Sequence, residues 1–484
     1  MIKKELSRLC KNSLIYGIGG ALNRFIGLLL LPFFTRVLSP EDYGIVALLS
    51  LLVVLMSGVL SLGTANSIGL LYYNEGDLSK RPVIVWSNFC LMVANGCFWY
   101  AIICFFAPSL SVLMFDTAEF SNLIRLAFLT AILSTITDPW LALLRMEERA
   151  LKYFVLTVSG AIVNALVSCF LVLVLDWSVR GLLLAGTIGS VIMLLTVWFF
   201  VGRKVKFSVN PKLLIPLVRI GFPSIFGLFA FLIIDYSDRL MIKYFLNLSD
   251  LGIYTVGYSF GMVMVIFMNA FGTAWSPFFM SYVTKPDEAR EVFGRVLTYY
   301  ILGFGSISVL FFLLAKPMLS LTTAPEFHDA WIVVGLVALG YMIKGCYLIF
   351  LPGIYFAKKL GLQSILEWIA AVLNIVLNIS LIPSFGILGA AFATFLSYLS
   401  LPILAWFTAR KYLVVNYEWS RIATGSFFIL ASSYLLYQFS QIFVSELLKL
   451  MLFGSLVCVV FFGAVFCFLL KDGERLIIYR KMKP

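Results

Sequence analysis

Few residues in this chain can do chemistry, and all of them stand in oily surroundings. Six cations lie inside or at the edge of long apolar runs: Arg24, Arg125, Arg219, Arg239, Lys243 and Lys344. A guanidinium clasps phosphate or carboxylate oxygens through forked hydrogen bonds, and an ammonium attracts them as a point charge. An arginine at the centre of a bilayer span costs about 3 kcal/mol on insertion scales, so it must face protein or a watery cavity. Arg24 and Lys344 are the deepest by position. Arg219, near one end of its run, and Arg125, near the outer end of another, are long enough to reach headgroups. The acids are Asp138, which precedes Pro139, and Asp235, Asp238 and Glu367. Asp235 and Arg239 are four apart on one helix face and can pair. The alternative for these carboxylates is an ion relay, since carboxylates within membrane spans mark ion paths. Asn164, Asn374 and Asn378 either line a cavity or bond helix to helix.

This set points to holding an anionic or amphipathic cargo rather than to making or breaking bonds. His328 is the one histidine and builds no histidine metal site. The eight cysteines, Cys10, Cys90, Cys97, Cys104, Cys169, Cys346, Cys458 and Cys467, form no Cys-x-x-Cys pair and read as free thiols. Cys90, Cys97 and Cys104 recur every seven residues, a packing face. No Ser-His-Asp cluster, metal motif or nucleotide loop is visible, so neither catalytic residue, resident cofactor nor metal is expected. The basic stripe of a nucleic-acid binder is missing as well.

The elements that position these residues are membrane helices. The chain is 62% hydrophobic and only 12% charged, against about a half and a quarter in soluble domains. Helix is the default in hydrocarbon, because an unpaired backbone is too costly there. About fourteen spans are expected, at roughly 13–37, 43–71, 83–107, 120–144, 153–175, 180–202, 213–240, 251–281, 296–315, 329–356, 362–383, 386–409, 421–441 and 446–470. Lys3, Lys4, Arg8 and Lys11 precede the first, but that run is too long for a signal peptide and Arg24 interrupts it; it reads as a retained helix.

Loop charge sets the orientation. Basic residues crowd alternate segments: the N-terminus, Lys80 and Arg81, Arg145 to Lys152, Arg203 to Lys212, Lys285 to Arg295, Lys358 and Lys359, Arg410 to Arg421, and Lys471 to Lys483. The positive-inside rule then puts both ends in the cytoplasm and accounts for most of the net charge of +12. The opposite loops are short.

An internal repeat divides the chain. Leu38, Asp42, Gly44 and Ile45 recur at Leu246, Asp250, Gly252 and Ile253, and Gly181, Ala185 and Trp198 at Gly389, Ala393 and Trp406, always at an offset of 208 (252 − 44). An offset of six spans keeps orientation, so the halves are related by a pseudo-two-fold along the membrane normal, and transport sites lie at such repeat interfaces. The expected fold is all-α and polytopic: two six-helix bundles around a central cationic cavity, plus two C-terminal helices. The divisions are 1–202 for the first bundle, 203–212 for a basic cytoplasmic linker that permits the halves to rock, 213–411 for the second bundle, and 412–484 for the added helices and a basic tail.

A mid-helix arginine followed by LLPFFTRVLSPEDYGI resembles the opening of the polysaccharide or O-antigen flippases, which carry lipid-linked oligosaccharides. They belong to the multidrug/oligosaccharidyl-lipid/polysaccharide exporter superfamily. Asp238-Arg239 followed by LMIKYFLNLSDLGIY resembles that family's pattern of Asp-Arg, a short loop and Gly-x-Tyr at the start of the second half, here ending at Tyr254. The resemblance is good over the first and seventh spans, loose over the sixth and twelfth, and slight over the last two.

The resemblance implies an inner-membrane flippase for oligosaccharides linked to polyprenyl pyrophosphate, and not an enzyme. Arg24, Lys344, Arg239, Arg219 and Arg125 would hold the pyrophosphate and glycan, Asp138, Asp235, Asp238 and Glu367 would serve an H+ or Na+ relay or salt bridges, and the lipid tail would lie along a groove that includes the last two helices. Whether a polysaccharide polymerase and chain-length regulator act beside it stays open. The rivals are lipid II transport, a multidrug or cation antiporter of the same fold, whose cavity is usually acidic, and a membrane glycan polymerase or ligase, which tends to carry a long external loop.

Overall fold

The computed structural model describes residues 2–77, 80–442 and 447–465, with the side chains of residues 2–14, 66 and 447 left aside. The tail cations Lys471 to Lys483 and Cys467 lie outside the described residues, as do the side chains of Lys3, Lys4, Arg8, Cys10 and Lys11. The remaining cysteines, Cys90, Cys97, Cys104, Cys169, Cys346 and Cys458, are free thiols.

By contacts the chain forms two compact units, Met1–Thr255 and Val256–Pro484. The first holds α1 (Ile2–Phe34), α2 (Pro40–Leu60), α3 (Thr64–Asn74), α4 (Arg81–Phe115), α5 (Ser121–Met146), α6 (Ala150–Cys169, continued by a π turn at Phe170–Val174), α7 (Ser178–Phe200) and α8 (Leu214–Phe245), and the start of α9 (Leu248–Gly261). The second holds the rest of α9, then α10 (Met264–Met280), α11 (Pro286–Thr322), α12 (Trp331–Phe350), α13 (Pro352–Phe356), α14 (Leu360–Ala409), α15 (Trp419–Ile442) and α16 (Leu447–Ala464). The contact boundary lies past the repeat boundary because α8 packs on α2, α3 and α4.

Among the described residues, eleven helices are long and apolar enough to cross a membrane, or twelve with the pair α9 and α10, bent by 42°. The 50 residues of α14 run about 75 Å at 1.5 Å each, far more than one crossing. They break at Gly386, whose φ of +59° and ψ of −142° glycine alone adopts readily. The fourteen expected spans require counting α14 twice and adding the shorter α16. Large apolar side chains such as Phe105, Leu113, Val174 and Ile215 project from the surface, as a lipid solvent permits.

Two expected spans prove discontinuous. The second, drawn as one helix over 43–71, ends at Leu60 and restarts at Thr64. Leu62 and Gly63 are left-handed there, with φ of +49° and +68°. A Cβ on Gly63 would stand 2.1 Å from the carbonyl oxygen of Gly221 in α8, so the break is where α8 passes backbone to backbone. The eighth, drawn over 251–281, is the bent pair α9 and α10.

The polar turn before α2 is a helix-starting device. Ser39 Oγ accepts from the Asp42 N–H at 3.1 Å, the Asp42 carboxylate accepts from the Ser39 N–H at 3.0 Å, and Pro40 occupies the first helical position. Its repeat mate reproduces the device with different residues: Asn247 Oδ1 accepts from the Asp250 N–H at 2.8 Å, and Asn247 Nδ2 donates to the Asp250 carboxylate at 2.7 Å.

The basic linker is fastened to the start of α4. Trp86 Nε1 donates to the Val205 carbonyl at 3.2 Å, and the Asn210 N–H donates to Ser87 Oγ at 3.0 Å. Trp86 also packs edge-on against Trp140 and Trp198, which anchors this end of the first unit. In the second unit α12 is the innermost helix, packed against α10, α11 and α14.

Candidate functional site

In the first unit the structure gathers Asp235, Asp238 and Arg239 on α8 with two residues missed from the sequence, Tyr236 and Tyr254. Asp238 and Arg239 are buried. The guanidinium donates to the Asp238 carboxylate at 3.3 Å and to the backbone carbonyl of Asp235, and stacks over the Tyr236 ring at 4.4 Å. The Tyr254 hydroxyl donates to the other Asp238 oxygen. Arg239 thus reaches the backbone carbonyl of Asp235, four residues earlier, and also the carboxylate of Asp238. Tyr254 could have been found from the motif itself, whose first and last residues are Asp238 and Tyr254.

Arg24 is near this cluster and differs from it. It is exposed, midway along the apolar stretch Ile15–Phe34 of α1, and close enough to Tyr236 for its charge to act there. Among the described residues it makes no hydrogen bond or ion pair. It thus keeps five donors for something else. Arg219 is likewise exposed on α8. Arg125 is engaged locally, donating to Asn122 Oδ1 at 2.7 Å and to the Cys104 carbonyl at 3.1 Å, and Lys243 pairs with Asp116. Asp138 is exposed on α5, away from the α8 cluster in sequence and element. Asn164 on α6 lies against Gly189 of α7, where a Cβ would meet its side-chain oxygen at 2.7 Å.

In the second unit the polar residues form a seam between α12 and α14. Lys344 donates to the Tyr398 hydroxyl at 3.1 Å, and its ammonium lies 4.8 Å and 5.4 Å from the ring centres of Tyr398 and Tyr341. Its charge also acts on Glu367. Glu367 is buried and accepts from Gln363 Nε2 at 2.8 Å and from the Tyr347 hydroxyl at 3.2 Å. Asn378 Nδ2 donates to Asn374 Oδ1 at 2.9 Å, both fully buried one turn apart on α14. The tyrosines were missed, although Tyr341 and Tyr347 flank Lys344 at three residues either way, the spacing that shares its helix face.

The other side of α12 borders an apolar cavity of about 600 Å³ between α11, α12, α14 and α15. Leu297, Met342, Cys346, Trp406, Trp419 and Ile429 represent its walls, and Ser426 carries the one side-chain oxygen on them. Trp406 and Trp419 meet edge-on at 5.2 Å, and the Arg410 guanidinium stacks over Trp406 at 4.9 Å. An apolar trough ending in tryptophans and a cation suits a hydrocarbon chain whose polar end lies at the membrane interface.

Residues 33–332 match the family described as polysaccharide biosynthesis protein, well over half of the chain. The chain belongs to the polysaccharide biosynthesis protein family. Among its relatives, a protein of the Lsg locus of Haemophilus influenzae is 22% identical over 83% of this chain and 98% of its own length. The succinoglycan biosynthesis transport protein ExoT of Rhizobium meliloti is 24% identical over 70% of this chain and 67% of its own. Two solved structures share the fold: the lipid II flippase MurJ in an inward closed conformation, with a TM-score of 0.70 and 16% identity over 94% of this chain and 98% of that one, and an inward-facing multidrug resistance transporter of the MOP superfamily, with a TM-score of 0.67 and 14% identity over 86% and 95%. This family member is a multi-pass membrane protein of the same helical fold.

Proposed function

We propose that this protein is a flippase that moves a polyprenyl-pyrophosphate-linked oligosaccharide, an O-antigen or other surface polysaccharide repeat unit, from the cytoplasmic to the outer leaflet of the inner membrane by alternating access. The observation that carries this reading is Arg24. It is a cation with its five donors uncommitted in the middle of an apolar stretch, with no carboxylate partner among the described residues. Its cost in a membrane is offset only if something anionic or aqueous meets it. A pyrophosphate supplies both charge and forked geometry. Lys344 and the exposed Arg219 are the further cations of this reading, while Arg239 and Arg125 serve it by holding helices. The polyprenyl chain would lie in the trough walled by Trp406 and Trp419, which takes residues from α15 but none from α16 and adds α11, α12 and α14. The relative ExoT, a succinoglycan biosynthesis transport protein, supports a glycan cargo. Loop charge favours cytoplasmic ends, and the buried carboxylates Asp238 and Glu367 offer places for coupling to an H+ or Na+ gradient.

The test is deletion followed by analysis of lipid-linked saccharides. The reading expects one unpolymerised lipid-linked repeat unit to accumulate on the cytoplasmic leaflet and to clear when the protein is restored. Accumulation of lipid II instead would favour that cargo, and restored dye efflux in a transporter-deficient strain would favour a multidrug antiporter.

A further inference from the structure

Arg410 follows the last residue of α14 and spreads its guanidinium over two rings, that of Trp406 at 4.9 Å and that of Phe407 at 4.7 Å. Both rings also belong to the walls of the apolar trough. Among the described residues the guanidinium forms no ion pair and no hydrogen bond. The acids of the neighbouring segments are already matched. Between Glu367 and Glu446 the sequence holds one acid, Glu418, and it pairs with Arg421 at 2.7 Å. The start of α11 meets the same loop, where the Asn416 N–H donates to the Arg290 carbonyl at 3.0 Å. Its acids Asp287, Glu288 and Glu291 have their own cations in Arg290, Lys285 and Arg295. A helix C-terminus favours any cation, and a lysine would serve there. Stacking instead turns the flat face of an arginine to the rings and keeps its N–H fork for an oxyanion.

The trough has the depth of one leaflet. Its α14 wall runs from Phe395 to Trp406, a rise of 11 residues (406 − 395) or about 17 Å at 1.5 Å each. Half of a hydrocarbon core of about 30 Å is about 15 Å. On the orientation that loop charge favours, the Arg410 end is the cytoplasmic one. Charge and oil meet there with nothing between them. The cation lies directly on two wall rings, and Ser426 carries the one side-chain oxygen along the walls. A glycerophospholipid sets ester carbonyls between its phosphate and its two chains. A polyprenyl phosphate joins the phosphate straight to one hydrocarbon chain, which is the pattern of this site.

We propose that Arg410 and the trough form a docking site for the phosphorylated end of a polyprenyl lipid in the cytoplasmic leaflet, with the chain in the trough and phosphate oxygens on the guanidinium. The site lies wholly within the second unit and rests on the transport reading above for its cargo.

The experiment uses the purified full chain in phosphatidylcholine nanodiscs. The probe is a polyprenyl monophosphate with a diazirine in its chain near the phosphate, and the matching polyprenol is the uncharged control. After illumination, adducts are located by peptide mass spectrometry. The phosphate probe is expected to label segments 395–407 and 419–430, at least fivefold less in Arg410→Gln and with partial recovery in Arg410→Lys. The polyprenol should label the same segments weakly and equally in all three proteins, which separates a lost phosphate contact from a damaged trough. Arg24→Ala should leave the labelling within twofold of the parent, which separates this site from the Arg24 contact. Phosphate-probe labelling that misses both segments, or that is unchanged in Arg410→Gln, would overturn the proposal. Phosphatidylglycerol added at the probe's own concentration should displace little. Loss of most labelling would make a bilayer phospholipid the occupant and overturn the assignment. Labelling needs no glycan, so a deletion strain without stranded lipid-linked glycan would remove the transport reading and leave the labelling result standing. Stranded glycan together with labelling indifferent to Arg410→Gln would sink the docking site alone.

Discussion

The hydroxyl of Tyr254 is hydrogen-bonded to the carboxylate of Asp238, so the two ends of the sequence motif that opens the second half are physically joined. Asp238 is wholly buried and shares its other oxygen with Arg239. The motif is thus a closed polar joint between α8 and α9, and removing any one member leaves the others unsatisfied in a dry setting.

Arg239→Leu should destabilise the protein by about 3–5 kcal/mol, the range for breaking one side of a buried ion pair, because it strands the Asp238 charge. Tyr254→Phe should cost about 1–3 kcal/mol. Combining Arg239→Leu with Asp238→Asn should cost clearly less than the sum of the single changes. Thermal unfolding of the purified variants checks this, and strict additivity would show that the three do not form one unit.

The caps at the two repeat-related helix starts should be worth similar amounts. Ser39→Ala and Asn247→Ala are each expected to lower stability by about 0.5–2 kcal/mol, with Ser39→Asn near neutral because Asn247 does the same work at the mate position. The same thermal measurement tells them apart: a large loss for Ser39→Asn would mean that the hydroxyl has another duty.

Much of this architecture is legible in the sequence, and what is not has a physical reason. Apolar length and alternating loop charge mark the helices, and the turn at 383–386 marks where the long α14 bends. The break at Leu62 and Gly63 is invisible because a lone glycine in an apolar run is tolerated in a helix. It needs Gly221 from a distant segment to make the break necessary. The offset between Gly44 and Gly252 is plain in the sequence, yet that the two touch is not. Site residues are harder still. Helices that are apolar all round carry no stripe to say which way a charge faces, so Arg24 and Arg239 look alike in sequence. One proves exposed and unpartnered among the described residues, and the other is built into a joint. The tyrosines around Lys344 were hidden among the chain's many aromatic residues.

Filling the apolar trough should block the lipid tail while leaving the fold alone. Ser426→Trp or Leu399→Trp, at half-buried wall positions, is expected to reduce glycan export severalfold or more, with a melting temperature near that of the parent, because the added ring enters existing space. Equal export with a normal melting temperature would show that the tail travels elsewhere.

The central claim is that Arg24 meets the cargo's phosphates, and its direct test is glycan export by Arg24→Ala and Arg24→Lys proteins at matched membrane levels. A lost charge-assisted, forked contact is worth about 1.5–3 kcal/mol, or roughly ten- to a hundredfold. The account predicts export below about a tenth for Arg24→Ala and partial export for Arg24→Lys. Export at the parent rate by Arg24→Ala would contradict it.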